Sequence, residues 1–270
     1  MNELEKRYQI HLNEFQYLVQ IFQNQLYSIK GNGSNIKKHL GSIYAIDHYI
    51  RHISLIKLLP HSQLAVNEPI FWDKTSVANL IRQQLEGLIT FHYLFNTNNE
   101  EWEFRLKILQ YHSKINQLNA NKYIDNKEEI DFEPKNLEDS DKFEQLGSKI
   151  RKKILNGETI FIHPKIVYAK SIGMRATFYK GIYNYFSDFT HLNLNGVYHF
   201  NEKNELGGPD QQNVDLFCSL LITNSLILSF FYQEFKKLFG DSLPKEPERF
   251  SNLLKKYKKV KIIKKTNIQP

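Results

Sequence analysis

Residues 3–30 read ELEKRYQIHLNEFQYLVQIFQNQLYSIK. Within them Tyr8, Leu12, Phe15, Val19, Phe22, Leu26 and Ile29 recur at alternating steps of four and three. Residues so spaced share one side of an α-helix. The pattern predicts a long amphipathic helix whose seam is long enough to bury a partner helix. Gly31-Asn32-Gly33-Ser34-Asn35 ends it. This glycine pair is no phosphate loop, because no strand precedes it and no Lys-Ser/Thr follows.

Helical periodicity continues along the chain. A second helix is expected from Ile36 to Leu59, stopping before Pro60. Its buried stripe is read as Ile43, Ile46, Tyr49, Ile50, Ile53 and Ile56. A third, starting after Pro69 or Thr75, carries Val77, Leu80, Ile81, Leu85, Leu88, Ile89 and Leu94. A fourth runs from Glu100 to about Asn119 with Trp102, Leu106, Leu109 and Leu118. Ile150, Ile154 and Leu155 make a short helix ending at Gly157. His163-Pro164 opens a helical pair with a stop at Gly173, and a helix follows from about Arg175 to Leu192. Val214 to Phe239 is the most apolar segment. Ser219, Thr223, Asn224 and Ser225 interrupt it, so it reads as a central bundle helix and not as a membrane span. No alternating strand pattern of useful length appears. The expected fold is all-α: a helical bundle domain over residues 1–244, with an acidic loop insertion at about 120–160 and a basic tail at 245–270.

Charge follows the same division. The formal net charge is +7. Residues 245–270 hold nine lysines and arginines against two glutamates, an excess equal to the whole net charge, so the body is formally neutral. Lys255, Lys256, Lys258 and Lys259 are candidate phosphate-backbone contacts on a tail otherwise read as solvated and poor in core-forming material. Asp125, Glu128, Glu129, Asp131 and Glu133 lead the opposing acidic block, which Pro134 punctuates. One cysteine, Cys218, allows no internal disulfide and no thiolate zinc cluster. The charged, amphipathic N-terminus has no apolar signal core, so a cytoplasmic protein is expected.

Three spaced pairs carry chemistry. His48 and His52 stand four apart on the second helix, a chelating interval. Stepping from the isoleucine stripe puts both on the opposite, solvated face, which argues against a metal site; a metal-dependent helical hydrolase is the third reading. Arg82 and Glu86 are also four apart, at the edge of an apolar stripe, and read as a salt bridge or as a polar patch facing a pocket. Ser187 and His191 form the last pair, one turn beyond Tyr183. A nucleophilic serine needs a sharp turn and an oxyanion hole, and a mid-helix position supplies neither.

The run Leu80-Ile81-Arg82-Gln83-Gln84-Leu85-Glu86, then Tyr183-x-x-Phe186-Ser187-x-x-x-His191 and a final apolar helix, resembles a bacterial family of all-helical proteins distantly related to the HEPN superfamily. The resemblance covers roughly residues 40–235. It implies a helical bundle, commonly dimeric, and a metal-independent endoribonuclease or an inactive relative in toxin–antitoxin, CRISPR or phage-defence systems. The superfamily's active motif is an arginine and a histidine separated by four to six residues. Arg105 and His112 match it formally, with Leu106 where a polar residue is usual. Seven arginines and ten histidines make roughly one such match expected by chance. The positions that carry the resemblance, Arg82, Glu86, Ser187 and His191, are therefore the candidate catalytic residues, with no metal and no cofactor. The expected activity is cleavage or binding of RNA. The expected assembly is a homodimer through the first helix, away from membranes, with a protein partner from the same operon. The alternative is a non-catalytic helical interaction module that dimerises, which the neutral body favours.

Overall fold

The computed structural model describes residues 3–29, 35–60, 73–124, 135–138, 140–190 and 211–259. The helices are α1 (Glu3–Ser28), α2 (Ile36–Leu58), α3 (Lys74–Phe95), α4 (Asn99–Ile124), α5 (Lys135–Glu138), α6 (Asp141–Glu144), α7 (Ser148–Leu155), α8 (Lys165–Ser171), α9 (Ala176–Thr190), α10 (Gln211–Phe239) and α11 (Glu248–Lys258). There is no strand among the described residues, and the fold is all-α as the periodicity predicts. Two compact units divide the chain: residues 1–91 with 169–270, and residues 92–168.

In the first unit α1 lies along α10, and α2 and α11 pack on both. The α1 seam from Tyr8 to Ile29 is buried throughout. Phe22 meets Phe231 and Phe235 of α10 edge-on at 5.8 and 5.4 Å, and Phe15 meets His52 of α2 at 5.7 Å. The seam is therefore internal core. Dimerisation through it, expected from the heptads, is corrected: the chain's own helices occupy the face. Helix α10 is long and apolar enough to cross a membrane by length and composition, yet 72% of its most apolar window is buried in the bundle.

Helix α2 corrects the sequence reading most sharply. Its buried face is Gly41, Ala45, His48, His52, Leu55 and Leu59, at steps of four and three. Three of the isoleucines read as its core face are turned out, with Ile43 49%, Ile46 42% and Ile50 53% exposed, while Ile53 and Ile56 are half-buried. The cause is close approach. A Cβ on Gly41 would lie 2.5 Å from Leu238 Cδ2. Small residues let α2 sit tightly on α10, and the histidines follow on that face.

The basic tail is corrected as well. Residues 248–258 form α11, which buries Phe250, Leu253, Leu254 and Tyr257. Residues 260–270 lie outside the described residues.

The second unit has its own core. Phe104, Ile108 and Tyr111 of α4 meet Leu137 of α5, Phe143 of α6 and Ile154 of α7. The described part of the acidic block is thus helical, not loop: three sparse apolar residues close it onto α4. Asp125 to Pro134 lies outside the described residues. Gly157 ends α7 at φ +69°, where only glycine is comfortable, and a Cβ there would lie 2.7 Å from Ile115.

Candidate functional site

Asp73 starts α3 by accepting the Ser76 N–H at 2.9 Å, a capping contact that sets the rotation of everything after it. Ile81, Leu85, Leu88 and Ile89 then bury one face, and Arg82 and Glu86 fall at its edge. Arg82 Nε lies 3.5 Å from Glu86 Oε1. Its Nη2 donates to the Tyr183 hydroxyl of α9 at 3.3 Å, and the guanidinium stands 5.1 Å from that ring's centroid. Tyr179 stacks on Tyr183 at 5.9 Å. Burial, then Tyr183 and Glu86, push the Tyr179 hydroxyl up, with Arg82 opposing, so it stays a protonated donor.

Arg82, Glu86 and Tyr183 are therefore brought together. Ser187 sits one turn further along α9, and its hydroxyl donates to the Tyr183 carbonyl at 2.7 Å. That back-bond is the ordinary use of a mid-helix serine. His191 lies outside the described residues.

On the other side of Glu86, α2 and α3 flank a half-open polar cleft of about 220 Å³. Asp47, His48 and Arg51 line it from α2, and Gln83, Glu86 and Gly87 line it from α3. Arg51 bridges the rim, donating to Asp47 Oδ2 at 2.9 Å and to Gln83 Oε1 at 2.9 Å. His48 forms the floor. It is 2% exposed and stacks on Phe231 at 3.7 Å and 11°. It also meets the His52 ring edge-on at 4.7 Å. Neither ring nitrogen of His48 has a hydrogen-bond partner. His52 is fully buried, with Nδ1 3.3 Å from Asn224 Nδ2. Burial lowers the pKa of His52 to about 3. Burial, then His52 and Arg51, hold His48 well below the usual imidazole range. Both rings are neutral at pH 7. The expectation of a solvated histidine face is thereby corrected. As metal donors the two rings have no third His, Cys, Asp or Glu beside them among the described residues.

The formal Arg/His match is structural where it can be followed. Arg105 binds Glu101 at 2.8 Å and the Tyr93 carbonyl, and it lies 4.5 Å from the Tyr93 ring centroid. His112 shares a contact of 3.1 Å with Asn116. Of the four candidate lysines, Lys256 is bound to Glu14 at 2.6 Å and Lys258 to Gln233 at 2.7 Å. Burial first lowers the pKa of Lys258. Lys255 and Lys259 are exposed.

The profile of a family of unknown function, DUF5677, matches residues 71–209. The chain belongs to that family. The DUF5677 match takes in α3 to α9 and so contains Arg82, Glu86, Tyr183, Ser187 and His191. The α2 wall of the cleft, with Asp47, His48 and Arg51, lies outside it. No curated protein and no solved structure matches the chain.

Proposed function

We propose that this DUF5677 protein is a HEPN-like bacterial conflict or defence protein that acts on RNA as a metal-independent endoribonuclease. The supporting observation is the meeting of Arg82 with Tyr183 across 101 residues of chain, at the position the resemblance singles out. A guanidinium held by Glu86 and a tyrosine is aimed and can fork onto two phosphate oxygens. His191, four residues after Ser187, is the proton carrier of this reading. The ribose 2′-oxygen attacks phosphorus as its proton passes to the imidazole, and the bond to the 5′-oxygen breaks as that oxygen takes up a proton from the imidazolium or from water, leaving a 2′,3′-cyclic phosphate. Arg82→Ala and His191→Ala should each lower cleavage of a single-stranded RNA at least a hundredfold in the presence of EDTA, with melting temperatures within a few degrees of wild type. Arg105→Ala measures the competing motif. Loss of cleavage there with Arg82→Ala still active would move the site.

The second reading, a non-catalytic module that dimerises, is favoured by the exposed isoleucines of α2. Ile36, Ile43, Ile46 and Ile50 repeat at seven, three and four, the seam of a helix pair. An antiparallel second copy centred near residues 47–50 sets Asp47 against the partner's Arg51. Ile46→Glu combined with Ile50→Glu should convert a dimer to a monomer in light scattering. An unchanged mass would remove α2 as the interface.

A further inference from the structure

We propose that the outward face of α7, formed by Lys149, Lys152 and Lys153, is the surface that holds the phosphate backbone of RNA. The inference deepens the RNA reading and rests on it for the nature of the ligand.

Residues 145–168 hold five lysines and arginines against one glutamate, Glu158. The formal neutrality of the body thus conceals a local basic stretch, and a local stretch is the imprint that nucleic-acid binding leaves. Helix α7 concentrates it on one side. At about 100° per residue, Ile150, Ile154 and Leu155 share a face. That face packs on the core of the second unit, with Ile154 fully buried and Ile150 and Leu155 against the same cluster. Arg151 stands on its flank, half-buried. Lys149, Lys152 and Lys153 fall within about 100° of one another on the opposite side, and all three are exposed.

Folding does not ask for this triad. Lys149 precedes the other two by three and four residues, so like charges are neighbours and repel. The helix dipole favours Lys152 and Lys153 in the last turn but disfavours Lys149 in the first. No carboxylate offsets the repulsion. On α4, Glu100 pairs with Lys142 and Glu101 with Arg105, while Glu158 accepts from Asn156 at 3.0 Å. Among the described residues none of the three lysines is in an ion pair.

The kind of partner follows from what the face carries and lacks. No apolar side chain of α7 is exposed, so the helix has nothing to bury in a bilayer, as an interfacial helix must. Lysine is a point charge on a flexible stem, suited to phosphates and indifferent to base identity. Helix α7 also lies inside the family match over residues 71–209, whereas the lysines of α11 lie outside it. Two of those, Lys256 and Lys258, are already bound within the fold.

The test is fluorescence anisotropy of the full chain with a labelled single-stranded 2′-O-methyl oligonucleotide of about 20 nucleotides, over about 0.05–0.2 M salt. The blocked 2′-oxygen cannot attack, so binding is read apart from cleavage. Wild type should bind with an affinity that falls steeply with salt. Lys149→Gln, Lys152→Gln and Lys153→Gln together should weaken binding at least tenfold at about 0.1 M salt. They should also flatten the slope of log affinity against log salt by about 2, at about 0.7 for each contact. The melting temperature should equal or exceed that of wild type. Lys149→Gln alone should flatten the slope by about 0.7 and serves if the triple variant does not fold. A control of Lys6→Gln, Lys57→Gln and Lys107→Gln, exposed on three other helices, removes the same charge and should leave the slope near wild type. An unchanged slope in the α7 variant, an equal loss in the control, or no oligonucleotide binding by wild type overturns the interface, even where Arg82→Ala and His191→Ala abolish cleavage. A loss confined to the α7 variant supports the interface even where no RNA is cleaved, and only the nuclease reading then falls. Sedimentation with phosphatidylcholine vesicles containing about one-third phosphatidylserine, lost in the α7 variant while no oligonucleotide binds, would assign the face to a membrane and overturn the RNA interface.

Discussion

Acidification from pH 6.5 to 4.5 should destabilise this protein by about 2 to 3 kcal/mol through His52 alone, with His48 adding in the same direction. The folded pKa of His52 is about 3, against an ordinary value of 6.5. Unfolding frees the ring to take up a proton over the whole interval between them. The unfolded state binds more protons there, so each pH unit of acid favours it by about 1.4 kcal/mol per histidine. Stability is thus fully present above pH 6.5 and falls as pH drops toward the folded value. The sum is a large share of a typical domain stability of about 5–15 kcal/mol. Glu14 and Glu246, whose pKa values their lysine, tyrosine and serine partners lower against the opposing effect of burial, begin to contribute only below their ordinary 4.5. His11 is also lowered by burial, but it is common to wild type and variants. His48→Phe keeps the stack on Phe231 and leaves no polar atom behind. It should therefore raise stability at pH 5 and reduce the slope of unfolding free energy against pH by about one histidine's share. Denaturant midpoints at pH 7, 6 and 5 measure this, and a variant slope equal to wild type would show that His48 binds a proton in the folded chain.

The same two histidines explain where sequence reading stopped. Helix positions were legible because the 3.6-residue period is local: α1 buries every residue its pattern selects, and α3 all of its own but the half-buried Leu80. The face of α2 was not legible. Its pattern offers two stripes, one isoleucine-rich and one of Gly41, Ala45, His48 and His52, and hydrophobicity alone selects the first. What turned the helix was fit against Leu238 and Phe239, residues almost 200 positions away. Small residues four apart were the available signal, because they mark close backbone approach.

The site was legible in part for a similar reason. Arg82 with Glu86 and Tyr183 with Ser187 are intervals within single helices, which sequence gives directly. Their meeting depends on how α3 and α9 pack. The cleft was missed because its floor is a histidine that periodicity had assigned to solvent. Gly87, which packs against that histidine, is one glycine inside an apolar helix.

Removing residues 248–270 should unfold the protein or leave it insoluble, the reverse of what a solvated tail would do. Phe250, Leu253, Leu254 and Tyr257 are all buried on the bundle. At about 1.5–3 kcal/mol for each large side chain taken from water, their loss approaches the whole stability of a domain. Polar contacts pin the same helix. The Tyr257 hydroxyl donates to Glu14 at 2.5 Å, Lys256 reaches that carboxylate at 2.6 Å, and Phe250 meets Tyr232 edge-on at 4.9 Å. Truncation also strips the covering from α1 and α10 and exposes their apolar surface to aggregation. Phe250→Ala alone should cost about 3–5 kcal/mol. Lys255→Ala, at an exposed position of the same helix, should stay within about 0.5 kcal/mol of wild type. Thermal melts of the two substitutions separate the readings: equal melting temperatures would return α11 to the status of a tail. With α11 as core, any loss of RNA binding on truncation reports unfolding and not lost charge. The basic face of α11 is weighed properly only by neutralising Lys255 and Lys259, because Lys256 and Lys258 are already engaged within the fold.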